Sequence, residues 1–170
     1  HLERLAGADQ DNVCTIHDVL EGRVVPGTNV LLLDDINGWW PASGTAIHLA
    51  LQRHLVCVVT AAEKAAGQLD LSQTGDTTRE RFAKLGVEVL LATGLESWQG
   101  NTARLVNLYT GDVEEREFDS LVLATTNDPE DQLSRVLAGS PLDIHTVGDA
   151  VQARTASMAI YEARKLAMTL

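Results

Sequence analysis

The sequence predicts an α/β domain of three layers: a mostly parallel sheet flanked by helices, with a small antiparallel meander. Three observations predict it. Short, wholly apolar runs such as Val30–Leu33 and Leu55–Val59 have the pattern of strands buried on both faces. Between such runs stand segments with apolar residues at helical spacing. One stretch, residues 95–118, breaks into alternation punctuated by turn residues, the pattern of hairpin-linked strands. Of the 170 residues 45% are hydrophobic but only 4% aromatic, so the core has to be built from Leu, Val and Ala, as in a sheet covered by Ala-rich helices.

The elements follow in order. Residues 1–25 read as a linker from a domain upstream, with Leu2 to Asn12 having the texture of mid-protein sequence. Val30–Leu33 is a strand ending in Asp34-Asp35. Pro41 to Arg53 places Ala42, Ala46, Leu49 and Ala50 on one helical face, and Leu55–Val59 is the next strand. Strand, helix and strand within about thirty residues make one right-handed βαβ unit. Thr74 to Lys84 is a second helix, capped by Asp76 or Thr77 with Glu80 completing a Thr-x-x-Glu box, and closed by Gly86. Val87–Leu91 is a third strand. The meander follows, turning at Thr110-Gly111-Asp112, and Glu114 to Glu117 reads as a charged, solvated edge. Arg79, Arg81 and Lys84 read as the wet face of their helix. Ser120–Ala124 returns to the parallel sheet, Pro129 to Ala138 is a helix, Leu142–Val147 a last strand, and Thr155 to Leu170 a last helix.

Charge and cysteine content narrow the partners. A formal net charge of −11 disfavours nucleic acid and anionic membranes, whose phosphates it would repel. No apolar run reaches membrane-spanning length. Cys14 and Cys57 stand far apart, in no metal-like spacing, and suit a reducing, cytoplasmic setting. His17, His48, His54 and His145 are scattered, and no serine stands in a nucleophile elbow, so this reading assigns neither a catalytic residue nor a metal site.

Two places offer binding chemistry. In Thr146-Val-Gly148-Asp149, an apolar run stops at a Gly-Asp pair and a helix is expected just beyond. Gly148 lets a ligand approach the backbone. The Asp149 carboxylate can accept hydrogen bonds from sugar or polyol hydroxyls, and the N–H groups of the following helix face electron-rich groups. The other place is the turn after the first strand, where a dinucleotide site needs closely spaced glycines. Here Asp34-Asp35-Ile36-Asn37-Gly38-Trp39-Trp40 puts two carboxylates and two indoles where bare backbone is needed. The Trp pair reads first as a buried seal on a domain contact; the alternative is an ADP-like or adenine ligand stacking on Trp39 or Trp40, with Asn37 and Trp39 as the candidate contacts. Thr60 ends the second strand without an acid for a ribose, although Glu63 is nearby.

At this point the residues resemble a known family. Asn12-Val13, Thr15 and Asp18-Val19-Leu20, the acidic and aromatic turn within Val30 to Ala50, the return strand Glu117-Phe-Asp-Ser-Leu-Val-Leu-Ala-Thr125, and Thr146-Val-Gly-Asp-Ala150 with Ala153-Arg154 look like the C-terminal region of trimethylamine dehydrogenase and 2,4-dienoyl-CoA reductase proteins, the old-yellow-enzyme-like NADH:flavin oxidoreductases. The resemblance implies a Rossmann-like, FAD/NAD(P)-binding-like fold. Residues 1–25 would be the linker, 26–125 an NAD(P)-binding-like domain with its antiparallel insert at 95–118, and 126–170 the return segment of an FAD- or ADP-binding unit. It further implies a parent flavoprotein oxidoreductase with an upstream TIM barrel carrying FMN and an iron–sulfur cluster, and an FAD-type domain as neighbour. Gly148, Asp149 and Arg154 would then meet FAD or ADP, with NAD(P) left open at the first turn and a homo-oligomer left open for the whole. On this reading the chain is an inactive part of the enzyme. The alternatives are a structural or interaction domain with a degenerate dinucleotide turn, and an independent NAD(P)H-binding reductase domain. The chain departs from the pattern at Glu162-Ala163-Arg164, where relatives often carry Asp-Gly-His, and at Thr126-Asn127-Asp128, where many carry Gly-Arg.

Overall fold

In the computed structural model, which describes residues 5–35 and 38–170, strands β1 (Val13–Thr15), β2 (Asn29–Asp34), β3 (Leu55–Thr60) and β4 (Glu88–Leu90) are followed by a meander of β5 (Thr93–Gln99), β6 (Thr102–Asn107) and β7 (Val113–Glu117) and by the return strand β8 (Ser120–Ala124). Helices α1 (Ile16–Leu20), α2 (Trp40–Leu51) and α3 (Gly75–Leu85) alternate with the early strands. The order in the parallel sheet is β1-β8-β2-β3-β4, with Asp34 level with Thr60 on one side and Ala124 on the other. The chain runs outward from β2 to β4 in one direction and returns on the other side at β8. The strand order therefore reverses at β2 and β8, and a crevice for a ligand belongs at their carboxyl ends.

The period of two along β2 builds the layers. Val30 and Leu32 face a cluster with Ala46, Leu49, Val58, Phe82 and Val122, under the helices. Leu31 faces the opposite cluster with Trp98, Ala103, Leu105, Phe118 and Leu121, under the meander. The expected three-layer Rossmann-like sheet is therefore present, its third layer being the antiparallel meander itself. A bidentate pair from Arg116 of β7 to Glu88 of β4, at 2.9 and 2.7 Å, fastens meander to parallel sheet. Arg116 is thus half-buried and engaged, whereas the sequence had read its strand as a solvated edge.

Other differences have local causes. Val13–Thr15, read as linker, pairs with β8 as the sheet's edge strand; three residues carry too little pattern to be seen. Helix α3 begins after Thr74, with Asp76 and Thr77 inside it and no side-chain cap. A 3-10 helix at Gly67–Ser72 feeds directly into it, and Asp76 bonds Arg79 instead, at 2.6 Å. Its C-terminus is as expected, with Gly86 left-handed at φ 71°.

The capping box lies earlier. The Thr15 hydroxyl accepts from the Asp18 N–H, and Asp18 accepts from the Thr15 N–H at 2.9 Å and its hydroxyl at 2.6 Å. These bonds, then Arg23, hold the Asp18 carboxyl down at about 2. The folded value lies below the unfolded one, so this stabilisation is present above about pH 4 and is lost as pH falls toward 2. Thr15→Ala will cost about 1 kcal/mol at neutral pH. It will also flatten the fall of the urea midpoint between pH 5 and pH 2.5, and an acid dependence identical to that of the wild type would contradict the assignment.

The chain divides into two units, His1–Thr125 and Thr126–Leu170. The second holds α4 (Gln132–Leu137), a 3-10 turn at Gly148–Ala150 and α5 (Ala156–Ala167). The strand expected at Leu142–Val147 is corrected here. Val147 is extended, at φ −142° and ψ 163°, but among the described residues the segment pairs with no strand, and a ladder requires a neighbour. Among the described residues no helix is long and apolar enough to cross a membrane.

Candidate functional site

The Gly148 turn is built by a reversal of backbone hand. From extended Val147 the chain enters Gly148 at φ +65°, then closes a 3-10 turn in which the Gly148 carbonyl accepts from Val151 and Gln152 at 2.9 and 3.1 Å. Helix α5 begins after Thr155, where the sequence placed the last helix, so residues 151–155 separate it from the turn. The open space expected beside Gly148 is filled as well. A Cβ placed there would lie 3.0 Å from the Ala159 Cβ, so the glycine admits α5 to the backbone. Gly148 itself is buried.

Polar groups converge on this turn, Glu162 from α5 and Arg154 from the segment before it. The Gly148 N–H donates to Glu162 Oε2 at 2.9 Å, and Glu162 Oε1 pairs with the Arg154 guanidinium. Asp149 is exposed, and its Oδ1 accepts from the Arg154 N–H at 3.3 Å. The Gly148 N–H, then Arg154, hold the Glu162 carboxyl below the usual carboxylate range, so it is ionised at neutral pH. Asp149, Arg154 and Gly148 are thus brought together, and the residue missed by sequence reasoning is Glu162. The signal was available: Ala159 and Glu162, three apart, share one face of α5, a small residue to meet the glycine and an acid to take its N–H. Beside the turn lies a cleft of about 500 Å³, lined by Ile144, His145, Val147, Val151, Glu162 and Lys165 among others. Its rim carries His145 Nε2, 3.2 Å from Asp143.

The β2–α2 turn is a separate place in the first unit. Asn37 lies outside the described residues. Asp34 is buried, at 4% exposure, and the Asp35 N–H donates to the Ala124 carbonyl at 3.2 Å. Trp39 is the N-cap of α2, extended and partly buried, with no side-chain cap bond; Trp40 is 47% exposed. Pro41 in the first turn removes one of the N–H groups that a phosphate would use. Gly38, at φ +78°, packs backbone to backbone against the loop after β3: a Cβ on it would lie 2.7 Å from the Gly67 nitrogen and 2.9 Å from the Ala66 Cα.

That loop is pinned. Arg79 donates to the Ala65 carbonyl at 3.0 Å and to Asp70 at 2.7 Å, and Lys64 donates to Asp70 at 2.6 Å. Arg79 is therefore a clamp, where the sequence had read it as a wet helix face. Glu63, the acid nearest the end of β3, accepts from the Tyr109 hydroxyl at 2.7 Å. The chain's own segment thus covers part of the turn, and its nearby acid is engaged.

No family model and no curated protein matches the chain. Solved structures do. A 6-hydroxypseudooxynicotine amine oxidase from Pseudomonas geniculata N1 matches at 25% identity and a TM-score of 0.86, over 96% of this chain and 25% of that one. A histamine dehydrogenase from Rhizobium sp. 4-9 matches at 19% identity and 0.81, over 94% and 26%. A 2-naphthoyl-CoA reductase matches at 21% identity and 0.78, over 98% and 25%. The last two speak to fold alone. The chain spans about a quarter of the length of the structures it matches.

Proposed function

We propose that this chain, similar in fold to all three proteins above, belongs with the trimethylamine dehydrogenase and 2,4-dienoyl-CoA reductase family of old-yellow-enzyme-like oxidoreductases, and that it is the nucleotide-binding part of a flavin-dependent oxidoreductase and not its redox centre. The Gly148–Asp149 turn is the observation that carries the reading. Gly148 sets Asp149 beside a fixed, left-handed corner, and the Asp149 carboxylate is exposed with acceptor positions to spare. That arrangement suits the hydroxyls of an FAD or ADP moiety. Its Gly148 N–H is already taken, so the residues present fit the hydroxyl-bearing part of a nucleotide better than its phosphates.

The β2–α2 turn contributes less. With Pro41 in place and Ala66-Gly67 against Gly38, its described residues offer little of the free backbone of a dinucleotide clamp, which speaks against NAD(P) and against an independent reductase domain. Cys14 and Cys57 do not suit an iron–sulfur cluster. Both are buried in separate clusters, and burial pushes their thiols up to about 11 and about 12, away from the thiolate a metal needs. Among the described residues no three His, Cys, Asp or Glu gather as a metal site. FMN and a cluster are implied by the family resemblance alone, which would place them in an upstream barrel. The match to an amine oxidase at 25% identity favours oxidation of a small amine over reduction of an enone.

The test is cofactor content. The full-length protein, purified and heat-denatured, will release FAD or ADP in addition to any barrel flavin, and Asp149→Ala will release that nucleotide at a small fraction of the wild-type ratio. Equal ratios would remove Asp149 from the site.

A further inference from the structure

Glu162 holds a position with a definite electrostatic meaning. One carboxylate oxygen takes the Gly148 N–H and the other takes the Arg154 guanidinium. A backbone N–H and a guanidinium converging on one anionic group, each on its own oxygen, are the donors a phosphate seeks. Here the protein supplies the anion itself. Both partners are largely shielded, the side chains of Arg154 and Glu162 being 31% and 23% exposed. Ala159, one turn earlier on α5, seats the helix against Gly148 and so sets the reach of Glu162. Asp149 adds a second negative charge on the same turn, and Arg154 balances only one of the two. A phosphate arriving at Gly148 would meet an occupied N–H, an arginine already paired and the Asp149 carboxylate close by, with Lys165 of the adjoining cleft as the remaining cation.

We propose that Glu162 is the specificity-determining residue of this turn, an internal anion that fills the phosphate position and leaves Asp149 to recognise the neutral, hydroxyl-bearing part of the nucleotide. It acts through Gly148 and Arg154 and is therefore a positioning residue. The inference rests on the reading of the turn as a nucleotide site.

Pyrophosphate titration of the full-length protein by calorimetry tests it. Glu162→Gln keeps the side-chain size and an oxygen for the Gly148 N–H but removes the charge and releases Arg154. It will bind pyrophosphate roughly tenfold tighter than the wild type, and the gain will vanish in the Glu162→Gln, Arg154→Gln double variant. A purely structural role for Glu162 would change stability without creating affinity that depends on Arg154. Arg154→Gln alone gives a second readout, independent of how well Glu162→Gln folds: pyrophosphate affinity will stay at the wild-type level. A tenfold loss there, or no Arg154-dependent gain in Glu162→Gln, overturns the proposal. Failure of the wild type to bind either FAD or ADP would instead overturn the functional reading, since the pyrophosphate comparison does not depend on it.

Discussion

Trp98→Ala will destabilise the first unit by about 4 kcal/mol, because removing a large aromatic from a closed core loses its transfer free energy and leaves a cavity. Trp98 is fully buried, in the cluster between parallel sheet and meander. It is also a polar junction. Its indole N–H donates to Asn12 Oδ1 at 3.0 Å, its backbone N–H to the Ala6 carbonyl at 2.9 Å, and its carbonyl accepts from Gln10 at 2.9 Å. Asn12 in turn donates to the carbonyls of Gly100 and Asp119 at 2.8 and 3.2 Å. One side chain therefore joins the segment before β1, the meander and the entry to β8. Urea unfolding reads the cost, and a loss under 1 kcal/mol would mean that the meander does not share its core with the parallel sheet.

Gly38→Ala will cost about 3 kcal/mol, the sum of a left-handed backbone penalty and an overpacking term. At φ +78° any side chain is strained, and the added Cβ would strike the backbone of Ala66 and Gly67, which cannot swing aside. Gly86→Ala is the control. Gly86 has a similar φ of +71° but nothing within 4 Å of the added carbon, so it will lose only about 1 kcal/mol. The difference between the two variants measures how firmly the loop after β3 sits on the β2–α2 turn. Equal losses would show that the loop does not press on the turn, and would reopen that turn to a dinucleotide.

Much of the fold was legible because burial on both faces leaves an unmistakable pattern. Val30–Leu33, Leu55–Val59 and Leu121–Ala124 are apolar without alternation, and each lies in a strand of the parallel sheet. The meander announced itself by the opposite sign, alternation and turn residues, and Gly86 marked a helix end that only a left-handed residue serves well. What stayed hidden depends on distant partners. Val13–Thr15 is a strand only because β8 lies beside it. Leu142–Val147 has the apolar pattern of a strand and no partner among the described residues, so pattern alone overstated it. Arg79 and Arg116 looked like solvent-facing charges, and became clamps once Asp70 and Glu88 were brought to them by the fold.

The candidate site divides in the same way. Gly148 and Asp149 were legible because a Gly-Asp pair after an apolar run has a mechanical meaning. The partner that closes the turn was not, since Glu162 stands fourteen residues on and reaches Gly148 only when α5 folds back. Sequence reasoning gave the sugar hydroxyls to Asp149 and an electron-rich group to the N–H groups of the following helix; it did not foresee that the Gly148 N–H would be taken by a carboxylate.

The central claim is that Asp149 holds the hydroxyl-bearing part of a nucleotide. Titration of FAD and ADP into the nucleotide-free, full-length protein and its Asp149→Ala variant tests it most directly. A carboxylate accepting hydroxyl hydrogen bonds is worth roughly 1.5–3 kcal/mol, so affinity for at least one of the two will fall by about tenfold or more, while the melting temperature of the ligand-free protein falls only slightly, through loss of the long bond from the Arg154 N–H. Unchanged affinity for both nucleotides in Asp149→Ala would contradict the account.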